Sequence, residues 1–181
     1  PEILHIATHG FFLKEQERLA KRIMGMQRGS QNPIPPPADN PLVRAGLAFA
    51  GLNPNAPLLG EIDTDNDGVL TAMEVLSLNL TGTRLVILSA CETGLGEIHE
   101  GEGVYGLRRS FQEAGVDSVI NSFWEVSDDG TQLLMTKFYD KYLDGFPPRE
   151  AMRVARLEMV DDFRWSSPFY WGAFAMVGRH E

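Results

Sequence analysis

A histidine followed by glycine, His9-Gly10, and a lone cysteine, Cys91, are the places where residue type alone points to covalent chemistry. A free thiol has a pKa near ~8.5 and is mostly protonated at neutral pH, so a cysteine nucleophile needs a base beside it. His9 would take the Cys91 proton, or hold the thiolate as an ion pair, and later return a proton to a leaving amine. Gly10 has no side chain to obstruct its N–H, so it and the N–H of Cys91 would be the two donors to a developing oxyanion. Gly94 and Gly96, after the cysteine, leave room for a substrate backbone. Taken singly, each signal reads as structure, because a cysteine at a strand end is often core and a His-Gly pair is often a turn. Taken together they favour a dyad.

Two strands must position that pair. Ile3, Leu4, Ile6 and Ala7 form an apolar run that stops at His9-Gly10, and Leu85-Val86-Ile87-Leu88 reads as a fully buried strand that ends in Ser89-Ala90-Cys91. Each candidate then stands just past a buried strand and is followed by a glycine-permissive turn. In open α/β sheets the loops at the carboxyl edge build the site, so the two side chains can meet there.

The rest of the chain supplies the frame. Helix-forming composition runs from Phe12 to Met26, residues 27–41 are a proline-rich surface loop, and Leu42 to Leu52 reads as a buried segment, strand in part, with tight backbone contact at Gly46 and Gly51. Thr71 to Asn79 predicts a helix opened by a Thr71/Glu74 capping box. A helix follows from about Val104 to Ala114, stopped by Gly115, then a strand from Val116 to Phe123. Asp128-Asp129 starts a helix that runs through Tyr142, Pro147 and Pro148 open another that ends near Val160, and Trp171 to Val177 reads as a last strand. This alternation predicts one α/β domain over residues 1–181, with a largely parallel sheet covered by helices on both faces. A domain rarely opens on a central-looking strand, so amino-terminal strands are expected to precede this sequence.

Composition narrows the function. A formal charge of −9 disfavours a surface that tracks phosphates, so nucleic acid is not expected as a direct partner, and it suits a cationic substrate or a metal ion better. An apolar fraction of 43% is enough for a single core, and a single cysteine excludes an internal disulfide. No apolar run approaches the roughly 20 residues that span a bilayer, and the first residues lack the layout of a signal peptide, so a cytoplasmic protein without a membrane partner is expected.

Four further patterns carry weaker signals. Residues 63–74 fill an EF-hand-like loop, with Asp63, Asp65 and Asp67 at positions one, three and five, Gly68 at six, Val69 at seven, Thr71 at nine and Glu74 at twelve. The segment before it is too short and broken for an entering helix, so a calcium loop with only an exit helix and an acidic turn capped by Thr71 both stay open. His5 and His9 read as same-face neighbours on one strand, but without a third ligand at zinc spacing a catalytic zinc is not expected. Gly101 to Gly106 matches GxGxxG, yet Glu97, Glu100 and Glu102 would repel a pyrophosphate, so the glycines are read as loop and helix-start geometry. Trp124, Glu125 and Asp128 follow the third strand on the same edge, where a carboxylate could receive the Arg or Lys of a substrate. Ser127, Asp128 and Asp129 also read as a helix cap.

With those residues in place, the chain resembles the CHAT family, caspase-like peptidase domains often found beside TPR repeats in bacteria. The matching stretches are His5-Ile-Ala-Thr-His9-Gly10, Asn40-Pro-Leu-Val-Arg-Ala-Gly through Asn53, Leu85 through Ser-Ala-Cys91-Glu-Thr-Gly94, Phe123-Trp-Glu-Val-Ser-Asp128, and Phe169-Tyr-Trp-Gly through Gly178. The resemblance implies a caspase-like three-layer sandwich with His9 as base and Cys91 as nucleophile. It further implies, by similarity to separases, an arginine pocket shaped by Trp124 to Asp128, with Asp128 ahead of Glu125. A regulated cysteine endopeptidase is expected, acting on protein substrates after a basic residue, with TPR or other sensor modules as partners and a setting in bacterial defence or cell death. The alternatives are a calcium-responsive scaffold without turnover and a cysteine-dependent amidase acting on small substrates.

Overall fold

The structure is a computed structural model of the 181-residue chain, and it describes residues 1–12, 40–50, 68–89, 102–124 and 127–179. In chain order the described elements are β1 (Ile3–Ala7), β2 (His9–Phe12), a 3-10 turn (Pro41–Val43), β3 (Ala45–Ala48), β4 (Val69–Thr71), α1 (Ala72–Ser77), β5 (Leu85–Ser89), α2 (Glu102–Glu113), β6 (Ser118–Ser122), α3 (Asp128–Leu143), α4 (Pro148–Val160), α5 (Pro168–Trp171) and β7 (Phe174–Gly178).

The aliphatic run of β5 is buried on both sides because it lies inside a four-stranded sheet of order β1-β5-β6-β7. Leu85, Val86, Ile87 and Leu88 are all at most 1% exposed, each contributing about 1.5–3 kcal/mol on transfer from water. β1, β5 and β6 run parallel, and β7 closes the sheet antiparallel. Alternation along the strands divides the core in two. Val86, Leu88 and Val119 face a cluster with Val75 of α1 and Leu107 and Phe111 of α2. Leu85, Ile87 and Ile120 face another with Leu134 and Phe138 of α3 and Met152, Ala155 and Met159 of α4. The chain therefore has the expected three layers.

Local chemistry sets the helix ends. At α1 the Thr71 hydroxyl accepts from the Glu74 N–H at 3.2 Å, and the Glu74 carboxylate accepts from the Thr71 N–H at 2.6 Å, which is the capping box expected from the sequence. Just after α2 the chain turns at Gly115, whose φ of +108° suits glycine and whose absent side chain would meet the Thr81 N at 2.9 Å. The Ser127 hydroxyl caps α3 by accepting from the Gly130 N–H, and Pro148 occupies the first turn of α4.

Three details differ from the sequence reading. A second sheet, β2-β3-β4, is antiparallel throughout, and Phe12 belongs to its first strand rather than to a helix. The expected helix beyond Phe12 and the loop at 27–41 fall largely outside the described residues. Pro168–Trp171 is helical and the last strand starts only at Phe174, because the Ser167 hydroxyl accepts from the Phe169 N–H and Pro168 presets the first turn. In the small sheet Gly46 is the point of tight contact: a Cβ there would lie 2.7 Å from Phe11 Cζ and 2.8 Å from the Leu70 carbonyl oxygen.

Candidate active site at the carboxyl edge of the sheet

The three parallel strands end side by side. Ala7 of β1 is in register with Ser89 of β5, and Leu88 with Asn121 of β6. In the sequence His9 follows Ala7 by two residues, and Cys91 follows Ser89 by two. Cys91 itself lies outside the described residues, as does Glu125.

His9 is held differently from the sequence expectation. It does not sit in a turn: it begins β2, paired with Ala48 of β3, so the chain leaves the main sheet at Thr8 and enters the small one immediately. The Thr8 hydroxyl donates to the Ala48 carbonyl and pins that crossover. The imidazole of His9 is exposed, with no hydrogen-bond partner among the described residues. His5 therefore shares neither strand nor sheet with His9, and the two are not same-face neighbours.

Gly10 is a buried strand residue opposite Leu47. The Phe49 N–H donates to the Gly68 carbonyl at 2.7 Å, and the antiparallel alternation then makes Leu47 bond to β4 and turns Gly46 and Ala48 toward β2. Gly10 is thus in a non-bonded pair, its N–H directed away from β3.

Trp124, past β6, is only partly exposed. Its indole N–H donates to the Phe169 carbonyl at 3.3 Å and its ring packs on the α3/α4 core, so it forms a fixed wall. Asp128 is the first residue of α3 and exposed, immediately after the Ser127 cap. The capping alternative thus holds for Ser127, and the Asp128 carboxylate stays open to solvent.

Of the EF-hand-like loop, Asp63, Asp65 and Asp67 lie outside the described residues. Gly68 has the positive φ, +78°, that a sixth-position turn requires. Val69 and Thr71 lie in β4, and Glu74 Oε2 receives both the Thr71 N–H and the Thr71 hydroxyl. The second half of the loop is therefore held by its own cap. Among the described residues no group of three acidic, His or Cys side chains gathers to hold a metal.

A polar chain behind the strand ends escaped the sequence reading. The Tyr139 hydroxyl of α3 lies 3.0 Å from His5 Nδ1, and His5 Nε2 lies 3.2 Å from the Ser89 hydroxyl. The partners are 134 and 84 residues from His5, so no local spacing could reveal them. A neutral ring accepts at one nitrogen and donates at the other, which fits this arrangement. Asn121, 1% exposed at the end of β6, is a second missed polar group: its amide N–H donates to the Ser122 carbonyl at 3.3 Å.

Burial holds the His5 pKa below its ordinary 6.5. A base with a depressed folded pKa binds its proton more tightly when unfolded. Its share of stability is thus fully present above the unfolded value of 6.5 and lost as pH falls through the folded value. The His5→Gln variant should flatten the acid-side decline of the thermal midpoint, by no more than about 2–4 °C because His5 keeps solvent contact. Melting curves at pH values either side of 6.5 check this, and identical slopes in the two proteins would remove His5 as the cause.

Comparison with known proteins agrees with this architecture. The chain is 25% identical over 180 residues to Tetratricopeptide repeat protein 28 of Mus musculus, covering 98% of this chain and 7% of that protein. It is 29% identical over 110 residues to Tetratricopeptide repeat protein 28 of Homo sapiens, covering 61% of this chain and 4% of that protein. The chain thus spans well under a tenth of the relatives it matches. Residues 1–179 match the CHAT domain, and the chain belongs to that family, whose fold is caspase-like.

Proposed function

We propose that this domain is a cysteine endopeptidase that cleaves protein substrates after a basic residue, under the control of partner modules such as tetratricopeptide repeats. The observation that carries the reading is the register of Ala7 with Ser89, two residues short of His9 and Cys91 respectively. In this reading the Cys91 thiolate attacks the scissile carbonyl carbon, with its proton on His9. The oxyanion receives the N–H of Gly10, which faces away from β3, and that of Cys91. Collapse expels the amine, which takes the proton from His9, and leaves a thioester on Cys91. Water, deprotonated by His9, then hydrolyses the thioester and frees the acid product. Asp128, exposed beside the Trp124 wall, receives the substrate's Arg or Lys, with Glu125 as its alternative.

The test is a positional library of fluorogenic peptides, applied to the longest form of the protein with and without Ca²⁺. Cleavage after Arg or Lys that vanishes in Cys91→Ala and weakens at least about tenfold in Asp128→Ala is the expected result. Undiminished cleavage in Cys91→Ala would sink the mechanism. The positive φ of Gly68 and the capped exit helix favour a second reading, a calcium-responsive module without turnover, in which Asp63, Asp65, Asp67, Val69, Thr71 and Glu74 hold the ion. Calorimetric Ca²⁺ binding that disappears in Asp63→Ala, with no peptide cleaved under any condition, would select it.

A further inference from the structure

A cleft of about 860 Å³, within the roughly 300–1,000 Å³ usual for ligand sites, opens between α4 and β7. It lies at the edge of the sheet opposite β1, away from the strand ends that precede His9 and Cys91. Arg149, Arg153 and Arg156 line it together with Leu157, Trp171 and Met176.

Two independent features distinguish this face. The first is backbone. The Arg179 N–H donates to the Asp117 carbonyl at 2.9 Å and the Phe123 N–H to the Ala173 carbonyl at 2.8 Å. Counting inward from both ends, Ala175 and Val177 also bond to β6, which leaves the peptide groups of Phe174, Met176 and Gly178 facing outward. No described strand lies on that side. An Arg156 guanidinium N–H already donates to the outward Phe174 carbonyl, while its buried Nε has no partner.

The second feature is charge. Arg153 spends both its contacts on Glu150, at 2.9 and 2.5 Å, and so is neutralised. Among the described residues Arg149 is exposed with no ion pair, and Arg156 is bonded only to a carbonyl. The cleft is therefore positive in a chain whose formal charge is −9. Leu157, 49% exposed, adds an apolar wall.

We propose that β7 and this cleft dock an extended, alternately acidic and apolar segment of another protein, which pairs with β7 as an added strand and sets carboxylates on Arg149 and Arg156. Main-chain bonds to an open edge supply affinity, and side-chain pockets at every second residue supply selectivity. A second copy of this chain is a poorer occupant: a two-fold contact joins a patch to itself and would bring two positive patches into one interface. The site is independent of the peptidase chemistry, so its test reads binding alone.

Fluorescence anisotropy with the 181-residue chain would use a labelled eight-residue peptide alternating Glu with Val, a twin with Lys for Glu, and a version N-methylated at the amides that would face β7. The acidic peptide should bind at least about tenfold more tightly than its lysine twin and should weaken about tenfold against Arg149→Glu. It should lose binding when N-methylated. Arg149 is exposed, so that variant is not expected to disturb folding, and the N-methylated peptide tests strand pairing with no change to the protein. Equal affinity for the two twins, or indifference to N-methylation, would overturn the proposal. So would a dimer by sedimentation that the acidic peptide cannot dissociate, since that would assign the edge to a second copy.

Discussion

Under the proposed activity, replacing Cys91 by alanine is expected to lower kcat for peptide cleavage by roughly 10⁴-fold or more, and adding His9→Ala is expected to lower it little further. The first half follows from the covalent route: without the sulfur there is no thioester, and what remains is binding and oxyanion stabilisation. At 1.36 kcal/mol per decade, such a loss is about 5.5 kcal/mol of transition-state stabilisation. The second half discriminates more sharply. A base whose only task is to carry the thiol's proton has nothing to do once the thiol is gone, so the two losses must not multiply. A double variant slower than Cys91→Ala by a further hundredfold would mean that His9 acts on its own, for instance by binding substrate. Neither change should move the thermal midpoint by more than a few degrees through His9, whose exposed ring has no described partner to lose.

How much of this could be read from the sequence depended on the range over which each signal acts. β5 was legible because four consecutive aliphatics can only be buried on both faces, and α4 because proline at the start and apolar residues at Ala151, Met152, Ala155 and Met159 fix its limits and its inner face. The cap at Thr71 and Glu74 was legible for the same reason, being complete within four residues. The small sheet was not. Its strands are three or four residues long, too short for alternation to stand out, and what defines them is pairing across the chain. That is why His9-Gly10 read as a turn and is in fact a strand. The last strand read as starting at Trp171, but the preceding Ser167-Pro168 decides locally for a helical turn that takes in Trp171, and the strand starts at Phe174. The polar chain through Tyr139, His5 and Ser89 is a tertiary contact with no local trace.

Phe111→Ala should be among the most damaging single changes to stability, and it separates the frame from the chemistry. Phe111 is fully buried on α2, in the cluster that also holds Val86 and Leu88 of β5, so its removal loosens the helix from the strand leading toward Cys91. Deleting a buried phenylalanine ring costs about 3–5 kcal/mol, against a total stability on the order of 5–15 kcal/mol for a domain of ordinary size. In urea the midpoint should fall with no change in slope, because the surface exposed on unfolding is nearly the same. Phe111→Leu keeps most of the volume and should lose less than about 1.5 kcal/mol. A loss under about 1 kcal/mol in Phe111→Ala would mean that α2 is not anchored as described. Under the proposed activity, Phe111→Ala held at a temperature where it stays folded should keep its kcat per folded molecule, whereas Cys91→Ala at any temperature should not. The two variants thus fail for different physical reasons: one loses the packing that holds strand and helix together, the other loses the atom that would bond to substrate.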